Sequence, residues 1–161
     1  MATTPAPDVA LAPVGGDARP IEDWVTVFHL VLVVVDPYTH ESSWLIETAG
    51  RILRTFREAD CRVGWLVTGT DDQATTFLGP WGDELLTFAD PDRSVVKALG
   101  LEELPAIVHI DHGVNLVASA EGWNPDEWRA VATGLADQMS WTRPAIPGPG
   151  DPTPYAGAPA T

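Results

Sequence analysis

Few side chains in this sequence are equipped for covalent chemistry, and the best equipped stands alone. Cys61 is the only cysteine, which rules out an intrachain disulfide and a thiolate-rich metal site. It opens the apolar run Arg62 to Thr68, where a cysteine is expected to be a small buried apolar residue and not a nucleophile. His40-Glu41-Ser42 sets a base, an acid and a hydroxyl side by side. Hydrolytic triads converge from distant segments, so these residues are expected to be structural, with Ser42 or Ser43 capping a helix and Glu41 at its positive end. His109 and Asp111 share one face of a strand, while His112 falls in the turn Asp111-His112-Gly113. No fourth ligand is evident, and turn chemistry accounts for the spacing, so no metal is expected. Asp71-Asp72 and Asp90-Pro91-Asp92 fit helix capping and turn initiation. No glycine loop that could cradle phosphate is present, because Gly15-Gly16 lies in the N-terminal tail. No catalytic residue and no cofactor is expected.

The elements that must position these residues fall between two unusual ends. Of the 15 prolines, four lie in Met1 to Pro20 and six from Pro144 onward. The composition of both ends predicts too little apolar burial to offset ordering entropy. The expected organisation is therefore a disordered tail over 1–20, one domain over 21–142, and an extended Pro/Gly-rich tail over 143–161 that either hangs free or docks on an aromatic surface, its own or a partner's. The formal net charge is −14, from 23 acidic and 9 basic residues. Such a balance repels nucleic acid and anionic membrane surfaces. No apolar run approaches a membrane span. Met1 to Pro20 lacks a basic region followed by an apolar stretch, so a cytoplasmic location is expected.

Between the tails, strand and helix patterns alternate. Trp24 to Val35 reads as a central strand buried on both faces, stopped by Asp36-Pro37. A helix is predicted from Ser42 or Ser43 to about Ala59, with Leu45, Ile46, Ala49, Ile52, Leu53 and Phe56 on one side. Arg62 to Thr68 and Leu85 to Ala89 are predicted strands. Between them lies a short helix or turn over Asp71 to Leu78, and after Asp90-Pro91 a short helix runs from Ser94 to Leu99. Ala106 to Ile110 and Val114 to Ala120 form a predicted hairpin. The last helix opens with Asn124 as cap, Pro125 in the first turn, and Asp126-Glu127 against the positive end. Trp128, Val131, Ala132, Leu135, Ala136 and Met139 follow at helical spacing. Helices interleaved with strands make an α/β fold with a mixed central sheet and helices on both faces.

Leu104-Pro105-Ala106-Ile107-Val108-His109-Ile110-Asp111 resembles the thioredoxin superfamily, which sets a cis-proline just before the first strand of its terminal hairpin. Phe88-Ala89-Asp90-Pro91-Asp92, with Val95, Val96, Ala98, Leu99 and Gly100, is similar to the peroxiredoxin and thiol-reductase branch. Gly122-Trp123-Asn124 sits where that family has a glycine-containing turn. The resemblance implies a thioredoxin-like fold over Trp24 to Met139. It also implies that active-site cysteines should lie in Asp36-Pro37-Tyr38-Thr39-His40-Glu41-Ser42-Ser43-Trp44, and none does. A hydroxyl cannot cycle through a disulfide or sulfenic acid, so thiol oxidoreductase activity is not expected there.

The family binds extended polypeptide beside its cis-proline. By resemblance, a groove lined by Pro37, Tyr38, Thr39, His40, Ser42, Trp44, Leu104, Pro105 and Trp123 is expected to bind a protein or extended peptide. Trp81 is a further candidate for this end, while Trp65 and Trp128 fit buried faces. Cysteine-free proteins of this kind act as accessory factors in enzyme maturation, hydrogenase assembly among them, and the Asp36-Pro37 to Glu41 stretch is similar to theirs. The expected function is a redox-inactive binding or assembly-chaperone module. The alternatives are a homo-oligomeric structural subunit and a small-molecule binder or enzyme working without a thiol near Thr39, His40 and Ser42.

Overall fold

Seven consecutive residues, His-Leu-Val-Leu-Val-Val-Val, form the spine of the molecule. Successive side chains of a strand point to opposite faces, so Val31, Val33 and Val35 pack into one core and Leu30, Leu32 and Val34 into another. The computed structural model describes all 161 residues. In chain order its elements are β1 (Ala10–Pro13), β2 (Arg19–Pro20), α1 (Ile21–Trp24), β3 (His29–Val35), α2 (His40–Ser43), α3 (Ile46–Thr55), β4 (Cys61–Val67), α4 (Asp71–Leu78), α5 (Pro80–Glu84) and β5 (Leu86–Ala89). They continue with α6 (Ser94–Ala98), β6 (Glu103–Leu104), β7 (Ala106–Ile110), β8 (Leu116–Glu121), α7 (Pro125–Met139) and β9 (Ala158–Pro159).

The main sheet runs β2-β1-β5-β4-β3-β7-β8. β3, β4 and β5 are parallel, while β1, β7 and β8 pair antiparallel to their neighbours. Helices α3, α4, α5 and α7 cover one face, and α1 and α6 the other. This is the mixed α/β sheet expected from the pattern. The first core holds Trp65, Trp123 and Trp128, each no more than 1% exposed. The Trp128 indole N–H donates to the Gly122 carbonyl at 2.7 Å, so this large ring is buried with its polar atom satisfied.

Helix ends follow the side chains that cap them. Thr70 and Gln73 form a reciprocal capping box at α4. Asn124 Oδ1 accepts from Glu127 N at 3.3 Å, with Pro125 in the first turn of α7. No helix is long and apolar enough to cross a membrane.

Four expectations need correction. The strand expected from Trp24 starts only at His29. Thr26 Oγ1 donates back to the Glu22 carbonyl at 3.0 Å, closing α1, and Trp24 packs edge-on against Phe88 instead. The single long helix from Ser42 or Ser43 to Ala59 is two helices broken at Trp44–Leu45 and ending at Thr55. Its serines do not cap it. Ser42 Oγ accepts from Asp36 N at 2.9 Å, and Ser43 Oγ donates to the His40 carbonyl, local bonds that compete with helix continuation.

The tail 1–20 is ordered. Ala10–Pro13 pairs with β5, and Leu11 is fully buried. An unpaired edge of β5 would otherwise expose its backbone groups, and this short apolar stretch covers it. The tail 143–161 is extended but folded back onto the domain. Ile146, Ala158 and Ala160 are buried, and β9 pairs with β6 in a second, two-stranded sheet.

Truncating Trp128 removes a fully enclosed indole and a satisfied hydrogen bond. Trp128→Ala is expected to lower stability by about 3–5 kcal/mol, measured by urea denaturation. A loss below ~1 kcal/mol would contradict the packing described.

Candidate functional site

Parallel strands β3, β4 and β5 end at one pole, and the residues that follow them build the candidate site. Asp36, just after β3, is buried. Its Oδ1 accepts from Tyr38 N at 2.9 Å, making the turn into α2, and its Oδ2 meets Arg93 Nη2 at 3.0 Å. Asp90, after β5, is also buried and accepts from Val95 N and Val96 N at 3.2 and 3.1 Å. Burial nevertheless raises its carboxyl above the ordinary range. From the other side comes the cis peptide Leu104–Pro105. The Pro105 carbonyl accepts from Gly122 N at 2.8 Å, which fixes the turn before Trp123.

The chain's own C-terminal segment lies across this pole. Asp151 anchors it, accepting from Arg51 Nη2 at 2.8 Å and Thr48 Oγ1 at 2.9 Å. The Trp123 indole N–H donates to the Pro152 carbonyl at 2.8 Å. Trp123 and Tyr155 exchange two backbone hydrogen bonds, at 2.9 and 3.0 Å. The Tyr155 hydroxyl donates to the Glu41 carbonyl at 2.6 Å, and its ring stands edge-on to Trp44 with centroids 5.4 Å apart. Burial, reinforced by Glu41, holds this phenol protonated well above its ordinary pKa. Beyond it, Ala158 pairs with Leu104, and the Ala160 carbonyl accepts from Arg93 Nη1 at 2.6 Å. We refer to residues 146–160 as the strap.

The strap divides the residues expected to line one groove. Leu104, Pro105 and Trp123 are buried; Trp123 and Leu104 touch the strap directly. Ser42 is fully buried and committed to Asp36 N. Pro37 and Tyr38 instead border a shallow depression of about 350 Å³ with Asp72, Gln73, Thr76 and Phe77. Tyr38 is 66% exposed and Trp44 57%. His40 is exposed and stacks on Trp44, and Thr39 Oγ1 donates to the Asp36 carbonyl. An open groove uniting all nine is therefore corrected to an exposed rim (Pro37, Tyr38, Thr39, His40, Trp44) and a covered floor (Leu104, Pro105, Trp123). The apolar floor gains burial from the strap without any partner. Thr39, His40 and Ser42 do not converge on an enclosed pocket. Trp81 lies elsewhere, edge-on to Trp65 with its N–H toward Glu47.

Arg93 and Tyr155 take part in the pole and were not anticipated. Tyr155 had a legible signal, as the one aromatic residue in a stretch of proline, glycine, alanine and threonine. Arg93 had none, because its left-handed backbone (φ 60°) and its two distant partners are tertiary facts.

Cys61 opens β4 beside His29, at the end of the parallel strands opposite Asp36. It is buried, and burial pushes its thiol up to about 11. At the same end His29 Nδ1 and His109 Nε2 are 2.8 Å apart, and His112 stands edge-on to His29 while contacting the Val25 carbonyl. Asp111 accepts from Gly113 N and Asn115 N, shaping the turn between β7 and β8. Along the chain His109 is close to Asp111 and His112, but its side-chain partner is His29 on the adjacent strand β3. These side chains form no group of three or more arranged to hold a metal ion.

With this geometry established, the chain can be set beside known proteins. Its sequence matches no family model and no curated protein. Its structure is similar to that of MTB DsbF in its mixed oxidized and reduced forms (TM-score 0.65, 17% identity, 80% of this chain and 96% of that one). It is also similar to a cysteine-to-serine variant of PrxQ from Xylella fastidiosa (TM-score 0.66, 16% identity, 86% and 96%). The fold is thioredoxin-like. A hypothetical protein from Sinorhizobium meliloti matches over 99% of this chain and 93% of its own, at TM-score 0.70 and 15% identity. Against that thioredoxin-like background, this chain has one cysteine and no cysteine pair.

Two predictions follow from the far end of the sheet. Cys61 should resist Ellman's reagent at pH 8 in the native protein and react fully in denaturant, because it is buried and protonated; rapid native labelling would contradict its placement. Burial, with repulsion from His29, lowers His109 to about 4, below its unfolded value near 6.5. The unfolded chain therefore binds the proton first, so this contribution is complete above pH 6.5 and is lost as pH falls toward 4. Urea denaturation at pH 7 and pH 4.5 should show a loss on the order of 2–3 kcal/mol from this residue, and His109→Gln should flatten that dependence.

Proposed function

We propose that this protein is a redox-inactive thioredoxin-like module that binds an extended segment of a partner protein at the Asp36–Pro105 pole, as an assembly factor does. The observation that carries the reading is the state of the pole itself. Where the resemblance calls for cysteines there is Asp36-Pro37-Tyr38-Thr39-His40-Glu41-Ser42, and beside the cis-proline the molecule holds a length of extended chain by backbone pairing. The adhesive features of a peptide site are present, and the sulfur is not.

The exposed rim supports the same reading. Tyr38 and Trp44 are among the few large apolar side chains left in solvent, and aromatic residues are enriched among interface anchors. An enzyme working without a thiol would need polar groups converging on an enclosed pocket. Here Ser42 is buried against Asp36 N, while His40 faces outward.

The test is affinity capture from native lysate of the source organism with the wild-type chain and with Tyr38→Ala/Trp44→Ala. A partner retained by the wild type should be lost, or retained at least about tenfold less, by the double variant, with the domain still folded as judged by a cooperative thermal transition, because both side chains are largely exposed. Equal capture by the two proteins would move the interface away from this pole.

A further inference from the structure

The strap is built in two parts with different hold on the domain. Its root, Ile146 to Pro152, is fastened by side chains: Ile146 is buried in the first core, and Asp151 is gripped by Arg51 and Thr48. Its tip, Tyr155 to Ala160, is held mostly by backbone. Tyr155 exchanges hydrogen bonds with Trp123, Ala158 and Pro159 pair with Leu104 and Glu103, and Ala160 N donates to the Glu102 carbonyl at 2.9 Å. The apolar contribution of the tip is one half-buried ring and the methyl groups of Ala158 and Ala160. Backbone pairing of this kind is open to any extended chain that fits.

Fit is restrictive at four positions. Tyr155 places its hydroxyl on the Glu41 carbonyl and its ring edge on Trp44. At Gly157 a Cβ would lie 2.7 Å from the Leu104 carbonyl oxygen and 2.9 Å from Glu103 Cβ. The opposing wall is equally close, since a Cβ on Gly122 would lie 2.8 Å from Gly157 N. Ala158 and Ala160 turn their methyl groups inward, being 9% and 1% exposed, where small side chains are enclosed. Ala156 and Pro159 face solvent and are unconstrained.

We propose that the tip of the strap is a tethered competitor, and that the groove it fills takes from the partner an extended segment of the form Tyr-x-Gly-small-x-small. The proposal rests on the reading of this pole as a partner-binding site and specifies what the site accepts. The partner segment replaces Tyr155 to Ala160 on the same hydrogen-bonding groups, while the root stays fastened. Attachment through the root holds the tip at an effective concentration of at least about millimolar, so only a segment that matches the four positions displaces it.

The experiment uses the full-length chain, a Tyr155→Ala/Gly157→Leu variant whose tip cannot seat, and a fluorescein-labelled peptide of residues 152–161. The variant is expected to bind the peptide at least about tenfold more tightly than the wild type, which must first release its own tip. The same peptide with leucine in place of its central glycine should bind at least about tenfold more weakly. Equal binding by the two proteins, no binding to the variant, or indifference to the glycine would overturn the proposal. A second measurement needs no variant. In wild-type hydrogen exchange the Ala160 amide should exchange at least about a hundredfold faster than the amides of β3, and exchange in step with β3 would overturn it. A concentration-dependent wild-type dimer with exchanged tips would also overturn it, by making a second copy the occupant. A captured partner that the peptide does not displace would overturn this inference and leave the partner-binding reading standing. Peptide binding without any captured partner would overturn the partner-binding reading and the partner as occupant, leaving only the groove's preference for this segment.

Discussion

A largely buried ion pair fixes the pole on which everything else here depends. Asp36 is 3% exposed and its carboxylate meets Arg93 at 3.0 Å. Removing either partner of such a pair costs up to about 3–5 kcal/mol, because the other charge loses its counter-ion. The pair gathers three segments that are far apart in sequence. Asp36 shapes the turn from β3 into α2 through Tyr38 N. Arg93 brings in the approach to α6 from its left-handed backbone, and its second nitrogen reaches the Ala160 carbonyl of the strap. In a thioredoxin-like scaffold the end of β3 is where sulfur chemistry is expected, and here a fixed charge organises it.

The covered floor of the pole follows from that arrangement. Trp123 is almost fully buried, yet its indole N–H and backbone groups are all spent on the strap. Without the strap, a large ring and several polar groups would face water together. With it, the ring is enclosed and each group has a partner, which is the condition for burying polar atoms at all. The exposed aromatics, Tyr38 and Trp44, lie beyond the strap's reach except where Tyr155 touches Trp44. The molecule therefore shows two adjoining apolar surfaces, one satisfied internally and one left open.

Much of this architecture was legible locally. The run from His29 to Val35, the capped start of α7 at Asn124-Pro125, and the paired strands around Asp111-His112-Gly113 each follow from residue pattern within a dozen positions. The fold class follows from their order. The two ends were misread for a common reason. Their proline and glycine content signals poor core-forming ability, but attachment by backbone pairing needs few apolar side chains. Ala10–Pro13 is ordered by the free edge of β5, and Tyr155–Ala160 by Trp123 and β6, none of which is near in sequence. The broken helix after Thr39 was hidden differently. Ser42 could be recognised as a hydrogen-bonding residue, but not that its acceptor oxygen would turn back to Asp36 N. Of the expected site residues, the chemistry of each was readable; which were rim and which floor depended on the strap.

The brevity of α2 bears on the electrostatics of the pole. Aligned peptide dipoles add along a helix, and their positive end is what draws a proton off a thiol placed there. α2 contributes only four residues before the chain kinks at Trp44–Leu45, and α3 starts afresh beyond the kink. The amides of Tyr38 and Thr39 are already engaged by the Asp36 carboxylate and carbonyl, at 2.9 and 3.3 Å, with little summed potential behind them. A helix of four residues is a weak source of positive potential, and the negative charge at the start of α2 comes from Asp36 and Glu41.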